Sequence, residues 1–236
     1  MKNVIIYFAI LFAFTNSFAH SNEEAKIQET ARSLLQNIFN DNVSHVKKSE
    51  TGLLKDIQNT QAPRATVLSC SDSRVQSVTI DDTPINDLFF IRNIGNQIDT
   101  AKGSVKYGVQ FLHTPVLLII GHVDCGAIKA AIGDYKQQPK ALRKELYTFD
   151  LPENITDKDG VIHNIHNQVD KALLMFASEI KEKKLVVIGT IYDFKNEYKK
   201  GYNRLIILNL NGEKNPKTIG ASDYLNGIKD LAIGVN

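Results

Sequence analysis

The chain has two cysteines among its 236 residues, Cys70 and Cys125, and each stands where a run of aliphatic residues stops. The first lies in Val67-Leu68-Ser69-Cys70-Ser71-Asp72-Ser73-Arg74, the second in Ile120-Gly121-His122-Val123-Asp124-Cys125-Gly126. Two thiolates and the His122 imidazole form a zinc-binding set with a fourth position left open, which is what separates a catalytic site from a closed structural one. Asp72 lies two residues after Cys70 and two before Arg74, so in an extended segment the three share a face. A bidentate pair with Arg74 keeps Asp72 ionised. Asp72 can then accept a hydrogen bond from water at the open position, or fill that position itself. Zinc in such a set lowers the pKa of bound water from ~15.7 toward ~7–9.

Other readings of the same residues stay open. Cys70 and Cys125 could form a disulfide, which would leave Asp72, Arg74 and His122 with no shared task. They could hold a zinc with no turnover, although a purely structural site needs neither Asp72 nor Arg74. His122-x-x-Cys125 alone is a weak signal. Paired with Cys70-x-Asp72-x-Arg74, each half after a buried strand, it is a strong one.

The elements that must position these residues follow from periodicity. Residues 65–69, 87–92, 115–120, 185–191 and 205–210 are apolar runs of strand length, and 115–120 reads as a strand buried on both faces. Helical spacing runs through 22–40 and 101–113, a helix opens at Gly126 and spans 125–132, and a long helix covers 160–184. A weaker helix is expected over 41–60, ending near Pro63, and a terminal helix over 222–231. Residues 133–159 hold Pro139 and Pro152 and read as a loop or short-helix insertion. Strands alternating with helices imply an α/β fold with a mostly parallel central sheet flanked by helices. The close spacing of the last two strands implies an antiparallel edge. In open parallel sheets ligands sit outside the carboxyl ends of strands, so Cys70 and His122, each at such an end, are expected to meet there.

Met1-Lys2-Asn3, the apolar stretch 4–14 and the small residues before His20 read as a signal peptide over 1–19, cut after Ala19. That implies a periplasmic or secreted protein with no membrane anchor once cleaved, and a single domain over 20–236 with an N-terminal helical arm. The formal charge of +2 builds no basic field, so nucleic acid is not an implied partner.

The motifs Cys70-Ser71-Asp72-Ser73-Arg74-Val75, Arg92-Asn93-Ile94-Gly95-Asn96 and Gly121-His122-Val123-Asp124-Cys125-Gly126 resemble those of the β-class carbonic anhydrases, over about residues 61–210. The resemblance implies Cys70, His122 and Cys125 as ligands of one zinc per chain. It implies Asp72–Arg74 as a catalytic dyad orienting a zinc-bound hydroxide. The implied reaction is reversible hydration of carbon dioxide to bicarbonate and a proton. Gln61, Phe89 and Tyr107 match the substrate pocket of plant-type members, and the Gly126 amide would face that pocket. Hydrolysis of a related heteroallene, carbonyl sulfide or carbon disulfide, on the same fold is the alternative. Some bacterial members bind bicarbonate at a regulatory site that uses a tryptophan where this chain has Val67; Arg92 and Tyr192 match its other two residues, and the site is expected to be absent. Members form dimers or assemblies of dimers, so a homodimer or dimer of dimers is implied, with the helical segment before Pro63 as its arm. Among His20, His45, His113, His163 and His166, one could relay protons, and the sequence does not choose.

Overall fold

Short β-branched and aliphatic runs make the strands, and their continuity places them inside a sheet covered on both sides. The computed structural model describes the backbone of residues 3–49, 52, 55 and 57–235, with side chains for 23–47, 52, 55 and 57–235. The chain divides into two compact units, Met1–Thr60 and Gln61–Asn236.

The first unit holds one helix, α1 (Asn3–Ser49). The two helices expected over 22–40 and 41–60 are therefore one element up to Ser49, because nothing between Asn40 and Ser49 is a glycine or proline. The rest of the 41–60 expectation falls largely outside the described residues, with a turn at 57–59. Residues 3–19 of the expected leader form the start of α1, and their side chains are outside the description. Among the described residues no helix is long and apolar enough to cross a membrane.

The second unit is built on β1 (Ala65–Cys70), β2 (Leu88–Asn93), α2 (Ile98–Lys106), β3 (Val116–His122), α3 (Gly126–Ile132), α4 (Lys140–Leu146), α5 (Asp157–Met175), α6 (Ala177–Lys181), β4 (Val186–Asp193), β5 (Arg204–Leu210), α7 (Pro216–Gly220) and β6 (Ala232–Ile233). The sheet order is β2-β1-β3-β4-β5-β6. Strands β2, β1, β3 and β4 run parallel, β4 and β5 antiparallel, and β6 parallel to β5. The mostly parallel sheet with an antiparallel pair near one edge is the expected architecture. Alternate residues Leu68, Leu117, Ile119 and Val187 pack under α2 and α5 through Ile98, Val105, Val169, Ala172 and Phe176. On the other face Ile207 packs with Ile219 of α7 and with Leu225.

Two expected helices differ. The 160–184 helix starts earlier, at Asp157, where Thr156 Oγ1 accepts the Asp159 amide at 3.1 Å and caps the first turn. It breaks at Phe176, whose backbone leaves the helical region (φ −118°, ψ 31°) while its fully buried ring enters the core, and α6 restarts after it. The terminal helix is reduced to a single 3-10 turn, Asp223–Leu225. The helix signal lies upstream, at Asn215-Pro216, where Asn215 Oδ1 accepts the Lys217 amide at 2.9 Å and Pro216 fills the first helical position. Positive φ at Gly227 (80°) and Asp230 (55°) breaks any helix over 222–231, and the chain then adds β6.

Candidate metal centre

Adjacent parallel strands β1 and β3 end side by side, and this register brings Cys70 and His122 together. Beyond His122 the chain turns through Asp124 (φ 57°), and Cys125 becomes the residue that precedes α3. The ligand atoms of Cys70, His122 and Cys125 all lie within 4.8 Å of one another. The three residues are 5%, 1% and 3% exposed. Both cysteines are free thiols rather than a disulfide.

The histidine shows which way the set is poised. His122 Nδ1 lies 2.9 Å from the Val123 carbonyl, which can only accept, so Nδ1 carries the proton. Nε2 then presents a lone pair, and it is buried with no hydrogen-bond partner. A buried unpaired acceptor is costly in an apolar surround. The two thiols beside it share a proton. Cys70 is held down to about 4, first by its hydrogen bond from Cys125 and also by the Gly95 amide, against the opposing effect of burial. Cys125 is pushed up by the same sharing and by burial. A cation between the two sulfurs and Nε2 would displace that proton and satisfy all three atoms. Zinc bonds of ~2.0–2.3 Å in tetrahedral array need ligand atoms about 3.3–3.8 Å apart, which the spacing of the set accommodates. The residues present fit a zinc ion.

Asp72 and Arg74 border the set. Asp72 Oδ1 accepts from the Arg74 amide at 3.0 Å and from Arg74 Nε at 2.9 Å, and Oδ2 accepts from Arg74 Nη2 at 2.7 Å. This bidentate pair holds the Asp72 carboxyl at about 2, with burial opposing. Oδ2 is also 3.8 Å from His122 Nε2, a carboxylate edge turned toward the metal set.

Further residues, which motif and spacing did not pick out in these roles, hold this loop. Arg92 donates to the Cys70 carbonyl at 3.2 Å and the Asp72 carbonyl at 2.7 Å, with Gln76 Oε1 fixing its other nitrogen at 3.0 Å. The Gly95 peptide, whose amide faces Cys70, has its carbonyl gripped by Gln97 Nε2 at 2.8 Å and Asn164 Nδ2 at 3.0 Å. Gly95 has φ 73°, and a Cβ there would lie 2.1 Å from Phe149 Cζ. Asn164 and Gln168 sit among the buried apolar positions of α5, and polar residues inside an apolar stripe are the signal that marks such a network.

Gly126 is the exposed first residue of α3, next to Cys125. The other three sequence-expected pocket residues lie elsewhere. Phe89 pairs in register with Thr66, four positions before Cys70. At ~3.3 Å per residue that is about 13 Å along the strand. Tyr107 stacks nearby, with ring centroids 5.7 Å from Phe89 and 4.7 Å from Phe111. Gln61 is exposed ahead of β1, beside Ala62, whose amide donates to Asn86 at 2.8 Å. Within one chain these three gather at the amino end of the strands and the metal set at the carboxyl end. His166 packs against Asn209, and His113 lies in the loop before β3, so neither adjoins the metal set.

The sequence profile of the carbonic anhydrase family matches residues 65–198. Carbonic anhydrase of Pseudomonas aeruginosa is 38% identical over 165 residues, covering 61% of this chain and 75% of that protein. Carbonic anhydrase 2 of Mycobacterium tuberculosis is 41% identical over 73 residues, covering 30% of this chain and only 35% of that protein. In fold the chain is similar to a tetrameric β-carbonic anhydrase of Sordaria macrospora, with a TM-score of 0.60 at 22% identity, over 75% of this chain and 97% of that one. A profile match across more than half the sequence, on a sheet whose fold is similar to that of a β-carbonic anhydrase and with these ligand residues at its strand ends, makes the chain a member of the carbonic anhydrase family.

Proposed function

We propose that the chain hydrates carbon dioxide reversibly to bicarbonate and a proton, at one zinc held by Cys70, His122 and Cys125. The observation that carries this is the buried, unpartnered His122 Nε2 beside two thiols and an Arg-held carboxylate. Zinc supplies a Lewis acid that makes bound water a nucleophile near neutral pH. With that ion bound, Asp72 Oδ2, 3.8 Å from His122 Nε2, would accept a hydrogen bond from water held there and would leave the water's lone pair turned toward substrate. Arg74 keeps Asp72 ionised and fixes which edge faces inward. The Gly126 amide, in the first turn of α3, has no partner within the helix and is free to donate to a substrate oxygen.

The 13 Å or so between Phe89 and the metal set along the strand supports a pocket completed by a second copy. Gln61, Phe89 and Tyr107 of one chain would wall the site of its neighbour in a dimer or dimer of dimers, as the tetrameric Sordaria protein is an assembly. The exposed stripe Ile27, Leu34, Leu35, Ile38, Phe39 and Val46 of α1 supports an arm that buries itself in that assembly. The apolar stretch 4–14 supports a cleaved leader and a periplasmic or secreted location, which N-terminal sequencing of the exported protein checks.

Stopped-flow carbon dioxide hydration from about pH 6.5 to 9, bracketing the metal-water pKa, tests the activity with zinc measured on the same sample. Turnover that rises with pH and scales with one zinc per chain is expected. Full zinc without turnover anywhere in that range would overturn the reading.

A further inference from the structure

Arg74 is held by more than Asp72. Its guanidinium carbon lies 4.4 Å from the centroid of the Phe194 ring. Arg74 Nη1 is 3.7 Å from Asp124 Oδ2, and Nη2 is 3.4 Å from the Asp124 carbonyl. Asp124 is itself fixed by Lys129 and Lys195, which hold one carboxylate oxygen each. Phe194 also stacks on His122, with ring centroids 6.1 Å apart. One aromatic ring thus touches both the arginine of the ion pair and the histidine of the metal set. The Arg74 side chain is 44% exposed, so without these contacts water would compete for its nitrogens.

We propose that Phe194 and Asp124 are positioning residues for Arg74: they pin its guanidinium so that Asp72 presents Oδ2, and not Oδ1, to the metal set. This rests on the reading of Asp72 as the orienting acceptor, but the pinning itself is a property of Arg74. A planar cation prefers an aromatic face, and Phe194 is the turn residue directly after β4, packed with Tyr192 at ring centroids 6.0 Å apart. Asp124 approaches from the other side, its carbonyl accepting from Nη2 at 3.4 Å and its carboxylate lying 3.7 Å from Nη1, so the guanidinium is bound by the Asp72 carboxylate, bordered by Asp124 and covered on its face by one ring.

The test uses the full zinc-loaded protein labelled with [15N]arginine, with the Arg74 Nε–H signal assigned by its loss in Arg74→Lys. The wild type should show a slowly exchanging Nε–H shifted by the ring current of Phe194. Phe194→Leu should abolish the ring-current shift and speed exchange about fivefold, the weight of one partly exposed cation–π contact. Phe194→Tyr should restore both. Asp124→Asn, which tolerates the positive φ of that position, should speed exchange while keeping the ring-current shift. An Arg74 Nε–H unchanged in Phe194→Leu and in Asp124→Asn overturns the proposal, whatever the turnover. The expected NMR changes in a protein that hydrates no carbon dioxide would sustain the pinning and overturn only the functional reading.

Discussion

Asp72→Asn isolates the step that the structure assigns to a single oxygen. The amide has the shape of the carboxylate but one acceptor in place of two. Its oxygen will settle at the Oδ1 position, where two donors, the Arg74 amide and Nε, converge at 3.0 and 2.9 Å. The NH2 group then occupies the Oδ2 position. There it meets Arg74 Nη2, a donor that stood 2.7 Å from Oδ2, and turns a donor toward the metal set 3.8 Å away. The opposite rotamer is worse, because it sets the NH2 against two donors. The substitution therefore inverts the polarity at the place where an acceptor is required.

Removing one charge-assisted bond at a partly exposed pair costs about 1 kcal/mol of stability, so the variant folds. Asp72 is outside the three-residue ligand set, so zinc content should hold. Losing a positioned proton acceptor costs about 10²–10⁴ in rate, or about 3–5 kcal/mol of barrier. Because the bond is made to the attacking water rather than to carbon dioxide, kcat and kcat/KM should fall together. Stopped-flow hydration with zinc assayed on each sample and a melting curve alongside gives all three quantities. A zinc-replete, folded Asp72→Asn protein within about tenfold of wild-type turnover would refute the assignment, since tenfold is below the range for such groups.

Three other perturbations bear on the metal set and its scaffold. In Cys70→Ser and in His122→Ala, zinc stoichiometry should drop below one per chain, and the melting temperature should lose its dependence on added zinc, because a ligand bound only to the native state stabilises it by mass action. Gly121→Ala places a Cβ 2.7 Å from Ile165 Cδ1 and Cγ1, an overpacking worth about 1–3 kcal/mol; denaturant melts should show a smaller cost in an Ile165→Val background, and an equal cost would mean the clash is relieved elsewhere. His166 is pushed down to about 4, mainly by burial and then by Lys214, so the unfolded chain takes up a proton between ~6.5 and that value which the native chain refuses. Stability should therefore fall as pH drops through this window, by on the order of 2 kcal/mol after allowance for partial solvent contact, and His166→Gln should flatten that limb of a pH-dependent melt.

The metal set was legible because its chemistry is written locally. Cys70 and His122 each close an aliphatic run, with Asp72 two residues beyond the first, and a parallel sheet brings such ends to one edge. Neither α5 nor α7 was placed as directly. The inward spacing of Val161, Ile165, Val169 and Phe176 is helical throughout, yet the helix breaks at Phe176, because the backbone leaves helical angles where that ring is buried. At the C-terminus the helix forms not over 222–231 but at Asn215-Pro216, a cap and a first-turn proline that mark α7 without any periodicity.

The residues that hold the site were hidden for a different reason. Gln97 stands 67 and 71 positions from Asn164 and Gln168, and in sequence all three look like polar surface residues. Their burial, at 0%, 2% and 1% exposure, becomes visible only when α5 is laid beside the Gly95 turn. The same holds for Phe194 and Asp124, whose contact with Arg74 joins the ends of β3 and β4 to the loop after β1. A reacting group can be recognised from its own type and its near neighbours. The groups that aim it are chosen by where the fold puts them, so a different sheet order would have recruited other residues to the same task.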